Sequence, residues 1–502
     1  MAGVIGRKLN VPGSLPIYPA SNFGQRSLTK LQPPYTFFRP NYAGYCTSLI
    51  LAGNSRTMRQ AIRVSSGLGR LARPFGSSSS QAPFRVASAS TAVHERGFAS
   101  FRKTASRPVA REVCRVAGSR RSFSSKKRVF EAGETPSFAF AFDIDGVLLH
   151  VAKPIPGAAE SLQFLNDNNI PFILLTNGGG KPEAVRVQDL SDKLGVQLSV
   201  DNFVQSHTPF QELVQGPEGL GDKTIFLTGA DAKKCREIAK LYGFKNVVTP
   251  ADIISAHPDV FPFERLMKQV YAETAEPLPK PIHSGNMRDA DALKIDAMFV
   301  FNDPRDWALD IQIITDLLLS RDGILGTYSS KNGDKALPNR GWQQDGQPPL
   351  IFSNADLFWS TTYHQPRFGQ GAFQAAVAGV WSEVSGGVEL QRTVFGKPFA
   401  TTYKYAERVL NAHRQALLGK QGGQGSSAPL KTVYMVGDNP ESDIRGANDF
   451  SSKETEWASV LVKTGVWSQE RGAPTHTPKM IVDDVKRAVE WALKREGRPV
   501  NI

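Results

Sequence analysis

The chain contains 502 residues, and its 60 Lys and Arg against 47 Asp and Glu give a formal net charge of +13. The excess positive charge lies near the start: residues 1–128 hold 22 basic and 2 acidic residues, whereas the remainder holds 38 and 45 and is mildly acidic. That balance disfavours a nucleic-acid-binding surface on the folded part, and no apolar run reaches the roughly 20 residues of a membrane span. We therefore expect neither a nucleic-acid partner nor a transmembrane segment.

Residues 1–128 have the composition of an organellar transit peptide, because they are rich in Arg and Ser and the first acidic residue is Glu95. Two stretches resemble matrix-processing sites, RGFAS at 96–100 and RSFSS at 121–125. We predict a disordered leader, import and processing by mitochondrial machinery, and a location in the matrix. The alternative is a disordered basic tail that binds acidic surfaces. Only Cys235 lies beyond the leader, so no disulfide can form within the folded part.

The next segment, 129–207, alternates strand and helix patterns. FAFAF at 138–142 and PFILL at 171–175 are apolar runs of strand length, and helical spacing follows them at 157–168 and 182–195. Strands that alternate with helices indicate an α/β fold with a mostly parallel sheet.

The part of the chain beyond the leader, 129–502, is too long for one ordinary compact domain and suggests two. A second α/β alternation begins near 223, so we predict an inserted α/β domain over 208–367 and a return to the first domain over 368–502, beginning with a helix at 371–384. Residues 421–429, QGGQGSSAP, are expected to form a flexible surface insertion.

Four motifs carry the chemistry, and three of them directly follow strand-like runs. In an open α/β sheet the carboxyl ends of the strands meet at the crevice where ligands bind, so these distant residues are expected to form one polar site. The motifs are AFDIDGVLLH at 141–150, LLTNGGG at 174–180, FGKP at 395–398 and VGDNPESDI at 436–444.

The side chains in these motifs are chemically complementary. They offer a carboxylate nucleophile, a second carboxyl for proton transfer, two neutral donors, a cation and a further anion for a metal: Asp143, Asp145, Thr176 with Asn177, Lys397 and Asp438. Each motif alone also fits an ordinary turn, glycine loop or helix cap. Their joint occurrence behind apolar strands favours the functional interpretation.

The four motifs together resemble those of the haloacid dehalogenase-like superfamily. Asp143 and Asp145 match its first motif, Thr176 its second, Lys397 its third, and Asp438 with Asp443 its fourth. GDNPESDIRGA and the long insertion resemble the class IIA subfamily, and with the basic leader the chain is similar to the mitochondrial group that includes the cat-eye-syndrome critical region protein. The resemblance covers about 130–502 and implies a Rossmann-like core with an inserted α/β cap of the C2 type.

The resemblance also implies a Mg²⁺-dependent phosphohydrolase that forms an aspartyl-phosphate on Asp143, with Asp145 as general acid and base. Mg²⁺ would be held by Asp143, the backbone carbonyl of Asp145 and Asp438, with Asp443 orienting that shell or Lys397. Phosphate would be bound by Thr176, Asn177, Gly178 and Lys397. An acid at position 145 favours phosphoester chemistry over dehalogenation, because an alkoxide leaving group needs a proton. A phosphomutase and a catalytically retired binding or scaffold protein remain as alternatives.

The substrate is the least determined feature. A large cap favours a small phosphorylated metabolite, and the resemblance suggests a link to glycerophospholipid metabolism and a homodimer through the cap. By the same resemblance, residues 353–371 carry specificity, and we select Tyr363, His364 and Arg367 as candidates, with a solvated loop as the alternative.

Overall fold

The computed structural model describes residues 136–215, 219–420 and 429–502, all within one compact unit. The predicted leader and nearly all of the predicted insertion at 421–429 lie outside these residues. Across the described ranges, no helix has the length and apolar character required to cross a bilayer.

The described strands follow in chain order: β1 (Phe138–Phe142), β2 (Leu149–His150), β3 (Lys153–Pro154), β4 (Phe172–Leu175), β5 (Phe203–Val204), β6 (Thr224–Thr228), β7 (Asn246–Val248), β8 (Ala297–Val300), β9 (Leu350–Phe352), β10 (Phe358–Trp359), β11 (Arg367–Phe368), β12 (Thr393–Val394), β13 (Thr432–Gly437), β14 (Glu456–Val462) and β15 (Met480–Val482).

The described α-helices are α1 (Ala158–Asp167), α2 (Glu183–Leu194), α3 (Ala232–Tyr242), α4 (Pro250–Ala256), α5 (Lys268–Thr274), α6 (Trp307–Leu319), α7 (Gln370–Ser385), α8 (Ala400–Lys420), α9 (Arg445–Phe450) and α10 (Val485–Arg495). Short 3₁₀ turns connect several of them, and Pro440–Ile444 forms one π-helical turn before α9.

The core sheet is fully parallel in the order β15-β14-β13-β1-β4-β5. Its central strand β1 is buried on both faces, and its alternating sequence gives each face a different size of side chain. Phe138, Phe140 and Phe142 pack towards α1 and α10, while Ala139 and Ala141 leave room for α8 and α9 on the other face. Each buried phenylalanine contributes roughly 1.5–3 kcal/mol. The predicted parallel core is confirmed.

The cap sheet is a second parallel sheet, in the order β12-β9-β8-β6-β7. Alternation in β6 again divides two apolar clusters: Ile225 and Leu227 face α3, whereas Phe226 packs with the residues of α4, α6 and α7. The neighbours of β6 are β7 on one side and β8 on the other, so the chain changes direction at β6 and opens a crevice beyond the carboxyl ends of β6 and β8.

The cap extends further along the chain than its predicted end at 367. Helix α7, which was expected to begin the return to the core, buries Phe373, Val377 and Trp381 in the cap cluster. Strand β12 then pairs with β9 in the cap sheet. Apolar spacing alone predicts a buried face but not the sheet that covers it, and the chain returns to the core only after Val394.

Candidate active site

A cavity of about 510 Å³ lies between the core sheet and the cap sheet, lined by loops that follow the parallel strands of both. The core wall comes from the four sequence motifs together with Lys181, Arg186 and Val466. The cap wall comes from the loops after β6, β8 and β9, the first turn of α3 and the β10–β11 hairpin, and it consists of Ala230, Asp231, Lys234, Asn302, Asp303, Arg305, Asn354, Asp356, Phe358, Trp359, Ser360 and Gly369. Two sheets therefore direct their carboxyl ends at one site.

Asp143 lies at the base of this cavity, directly after β1. Its backbone N–H donates to the carbonyl of Val436, which fixes it beside β13. Lys397 Nζ donates to Asp143 Oδ1 at 2.7 Å. Burial raises the pKa of Asp143 to about 7, an effect that Lys397 opposes and Asp443 reinforces. A neighbouring cation is therefore needed to keep this carboxylate ionised at neutral pH.

Lys397 is 1 % exposed, and its ammonium group contacts three oxygens. In addition to Asp143 it donates to the carbonyl of Leu175 at 2.8 Å and lies 2.7 Å from Asp443 Oδ1. Burial would lower the pKa of Lys397, but the carboxylates of Asp143 and Asp443 outweigh burial and raise it. The lysine is therefore a fixed positive charge in the base of the cavity.

Asp443 and Asp438 have different surroundings although they share one motif. Asp443 Oδ2 accepts the backbone N–H groups of Asp438 and Asn439 at 3.1 and 3.0 Å, so both of its oxygens are engaged. Asp438 Oδ2 accepts the N–H of Val466 at 2.6 Å. A Cβ at Gly465 would lie 1.9 Å from Asp438 Oδ2, so glycine is required there for the carboxylate to fit.

The second motif forms a tight loop after β4. Gly178 N–H donates to Thr176 Oγ1 at 3.0 Å, which leaves the hydroxyl proton of Thr176 to be donated into the cavity. Asn177 behaves differently: its Oδ1 accepts the N–H of Lys397 at 2.7 Å, and its Nδ2 donates to the carbonyl of Lys397 at 2.9 Å. The side chain predicted to bind phosphate instead holds the backbone of the catalytic loop.

Asp145 lines the same cavity and is the accessible carboxyl of the first motif. Its side chain is 48 % exposed, and the guanidinium of Arg186 approaches Asp145 Oδ2 at 3.8 Å. Arg186 belongs to α2 and also bonds to Asp189 at 3.2 Å, which fixes its position. Asp145 is therefore free to exchange protons with a leaving group or with water in the cavity.

The described carboxylates can hold a metal ion. Asp143, Asp438 and Asp443 are buried and offer oxygens within 4.8 Å of one another. Hard oxygen donors in such a cluster fit a divalent cation such as Mg²⁺. Since both oxygens of Asp443 already have partners, Asp143 and Asp438 are the two side chains best placed to bind the metal directly.

The predicted specificity residues do not line the cavity. Strands β10 and β11 form a short hairpin with Phe358 opposite Phe368, and only its base reaches the cavity. In its loop the rings of Tyr363 and His364 lie 4.3 Å apart, and Arg367, which pairs with Trp359 across the hairpin, places its guanidinium 4.4 Å from the Tyr363 ring centroid. The three side chains pack on one another, and none of them is among the residues that line the cavity.

Sequence reasoning missed two groups at the site. Asn354 and Asp356 follow β9 directly and line the cavity, so the rule that identified Asp143 would have found them had it been applied to the cap. His207 lacked such a signal. It is buried, accepts the N–H of Gly180 at 3.1 Å through Nε2, and contacts Tyr242 Oη at 2.7 Å through Nδ1.

Comparison with known proteins supports this description. Residues 140–245 match the haloacid dehalogenase-like hydrolase family, and residues 394–488 match the HAD-hydrolase-like family. The mitochondrial hydrolase YKR070W of Saccharomyces cerevisiae is 39 % identical over 382 residues, which cover 74 % of this chain and 99 % of the yeast protein.

Two further comparisons are more limited. A cardiolipin synthase (CMP-forming)/mitochondrial hydrolase fusion protein of Schizosaccharomyces pombe is 39 % identical over 71 % of this chain and 53 % of its own length. A p-nitrophenyl phosphatase structure from Archaeoglobus fulgidus covers 71 % of this chain and all of its own, with 16 % identity and a TM-score of 0.44.

The chain belongs to the haloacid dehalogenase-like hydrolases. With an α/β cap inserted between the second and third motifs, the chain is a member of the class IIA subfamily. The protein is a hydrolase of the phosphatase type.

Proposed function

We propose that this protein is a Mg²⁺-dependent phosphatase that hydrolyses a small phosphate monoester through an aspartyl-phosphate on Asp143. The observation that carries the proposal is the buried cluster of Asp143, Lys397 and Asp443 at the base of the cavity. A carboxylate beside a fixed ammonium group, open to a cavity of small-molecule size, is the arrangement required for attack on a phosphoryl group.

The first step transfers the phosphoryl group to the protein. One oxygen of Asp143 is held by Lys397, and the other attacks phosphorus while the bond to the leaving oxygen breaks. Asp145 donates its proton to the leaving alkoxide. In the second step a water attacks the phosphorus of the aspartyl-phosphate, Asp145 takes the proton of that water, and phosphate and the Asp143 carboxylate are released. Lys397 and Thr176 stabilise charge on the phosphoryl oxygens.

Mg²⁺ bound by Asp143 and Asp438 would neutralise charge on the carboxylates and on the phosphate. Asp443 supports this pair indirectly. It forms an ion pair with Lys397 and accepts two backbone N–H groups of the fourth motif.

The substrate is expected to be small and polar away from its phosphate. The cavity has a volume of about 510 Å³, and its cap wall is mostly charged or amide side chains, with Phe358 and Trp359 at one edge. The relative fused to a cardiolipin synthase supports a glycerol-phosphate type of substrate in glycerophospholipid metabolism. A cap that covers a phosphate site excludes bulky phosphoproteins.

A phosphate-release screen tests the proposal. The purified protein is incubated with p-nitrophenyl phosphate, glycerol phosphates, sugar phosphates and nucleoside monophosphates, with Mg²⁺ or with EDTA. We expect hydrolysis of the aryl phosphate and of at least one metabolite with Mg²⁺ only. Transfer of phosphate between two positions of one substrate without release would indicate a mutase. Binding without turnover of any compound would indicate a retired enzyme.

We further propose that the protein acts in the mitochondrial matrix, since the yeast relative is named a mitochondrial hydrolase and residues 1–128 have transit-peptide composition. N-terminal sequencing of protein recovered from purified mitochondria tests this. We expect a start near Ala99 or Ser124, and an unprocessed cytosolic product would contradict it.

A further inference from the structure

The cap contributes a carboxylate to the catalytic end of the cavity. Asp356 lies in the loop after cap strand β9, whereas Asn177 and Lys397 lie in core motifs. Asp356 N–H donates to Asn354 Oδ1 at 2.7 Å, and Asn354 Nδ2 donates to the carbonyl of Asn177 at 3.0 Å. The cap loop is thus attached to Asn177 through Asn354 as well as through Asp356.

Asp356 supplies the last partner of the Asn177 side chain. Because the N–H of Lys397 must meet an acceptor, Asn177 Oδ1 faces that loop and the orientation of the amide is fixed. One Nδ2 hydrogen goes to the carbonyl of Lys397 at 2.9 Å, and the other goes to Asp356 Oδ2 at 3.0 Å. All hydrogen-bonding groups of this amide are then satisfied, which leaves it one orientation.

The backbone beside Lys397 depends on that orientation. Gly396 has a φ of +83°, and a Cβ there would lie 2.9 Å from Asn177 Oδ1, so the amide and the loop approach as closely as glycine allows. A rotation of the Asn177 amide would break both bonds to Lys397 and release the loop that aims its ammonium group at Asp143.

We propose that Asp356 is a positioning residue for catalysis: it acts through Asn177 to hold the Lys397 loop in place, so that the cap completes the phosphate site. The proposal rests on the proposed phosphatase function. Asp356 need not touch the substrate for this role, and its effect should appear in kcat more than in KM.

The charge state of Asp356 suits an acceptor. Burial raises its pKa to about 6, while Lys397 and a hydrogen bond from Asn177 limit the rise. At pH 7.5 it is therefore mostly ionised and can only accept. Asp356→Asn keeps a carbonyl oxygen for Asn177, whereas Asp356→Ala removes it.

A double-mutant cycle on p-nitrophenyl phosphate hydrolysis at pH 7.5 tests the proposal. We expect Asp356→Ala to lower kcat about tenfold, as loss of a charge-assisted hydrogen bond would, and Asp356→Asn to stay within about threefold of wild type. In an Asn177→Ala background, Asp356→Ala should lower kcat by less than about twofold, because the residue it acts through is gone. Asp303→Ala, another cap carboxylate on the cavity, is the matched control and should have the same effect in both backgrounds.

Equal effects of Asp356→Ala in the two backgrounds would overturn the proposal, and so would a loss confined to KM. Thermal unfolding of each variant checks the fold, and Asp356→Ser with Asn177→Ser replaces the alanine pair if either is unfolded. If the wild-type protein hydrolyses no phosphate ester, the proposed function is wrong. If the wild-type protein is active but the effects of the two substitutions add independently, only the positioning role of Asp356 is rejected.

Discussion

The core end of the cavity and the neighbouring cap hairpin differ in how firmly their side chains are held. At the core end Lys397 and Asp443 are 1 % exposed, and the ammonium group of Lys397 is held between Asp143, Asp443 and the carbonyl of Leu175. At the cap hairpin Tyr363 is 51 % and Phe368 63 % exposed; Tyr363 contacts Arg367, and Phe368 contacts Phe358 and Trp307. The groups that act on every phosphate ester lie at buried strand ends, while these exposed hairpin side chains lie outside the lining of the cavity.

The contrast predicts that substitutions at the core end affect every substrate and that substitutions at the hairpin affect few. The largest effect is expected at the nucleophile. Asp143→Asn should lower kcat by about a thousandfold or more on aryl and alkyl phosphates alike, because an amide is a poor nucleophile and a weaker metal ligand. Steady-state kinetics with circular dichroism as a check of folding measures this.

The control for that prediction is Asp145→Asn, which should cost less on aryl phosphates than on alkyl phosphates, since only an alkoxide needs strong acid assistance. Turnover by Asp143→Asn close to wild type would reject Asp143 as the nucleophile.

The next largest effect is on stability. Lys397→Met leaves two buried carboxylates without their cation and should lower the free energy of unfolding by about 3–5 kcal/mol. Urea denaturation in EDTA measures the change, so that no divalent cation replaces the lysine. Lys404→Met, at an exposed position on α8, is the control and should change stability little. A similar small change at both positions would show that the cluster is not held by Lys397.

The buried His207, which contacts both Gly180 of the core and Tyr242 of the cap, predicts that the free energy of unfolding depends on pH. Burial lowers the pKa of His207 from 6.5 to about 4, against a smaller opposing effect of Glu183. The unfolded chain therefore binds a proton that the folded chain does not between these values, and stability is full above pH 6.5 and falls by about 3 kcal/mol as the pH drops to 4. Denaturation at several pH values should show a shallower slope for His207→Gln; an unchanged slope would place the titration elsewhere.

The smallest effect should come from the stacked hairpin side chains outside the cavity. Because Arg367 stacks on Tyr363 outside the cavity, Arg367→Ala should change kcat/KM by less than about twofold. Trp359→Ala removes an aromatic ring from the cavity edge and should raise KM about threefold to tenfold. Steady-state kinetics of both variants on two phosphate esters, one with a second anionic group and one with a neutral group beyond the phosphate, decides between them. A larger loss for Arg367→Ala on the anionic ester alone would restore the specificity role predicted from the sequence.

The sequence was most informative where local pattern and global fold agree. Apolar runs gave β1, β4 and β13, and the rule that their carboxyl ends converge brought Asp143, Thr176 and Asp438 to one place without knowledge of their contacts. The limits are equally physical. Asn177 was expected to bind phosphate because an amide can donate to it, but a sequence does not reveal that the loop of Lys397 claims both ends of that amide.

The cap was predicted less well, because its errors concern which surfaces meet. Helix α7 has an apolar face in either domain, and only the packing of Phe373 and Trp381 shows that this face belongs to the cap. The direction of a hairpin is set in the same way by contacts distant in sequence, so Tyr363 and Arg367 could not be placed from their spacing.

Only Phe395 and Gly396 separate cap strand β12 from Lys397. Anyone who exchanges caps between relatives, or deletes the cap to make a minimal enzyme, must therefore cut the chain beside a residue of the chemistry itself. A chimera joined before Thr393 keeps the native spacing between β12 and Lys397. A linker inserted after Val394 lengthens that spacing and displaces the lysine from Asp143. The position of the junction thus determines whether a chimera with a new cap keeps Lys397 in its catalytic position.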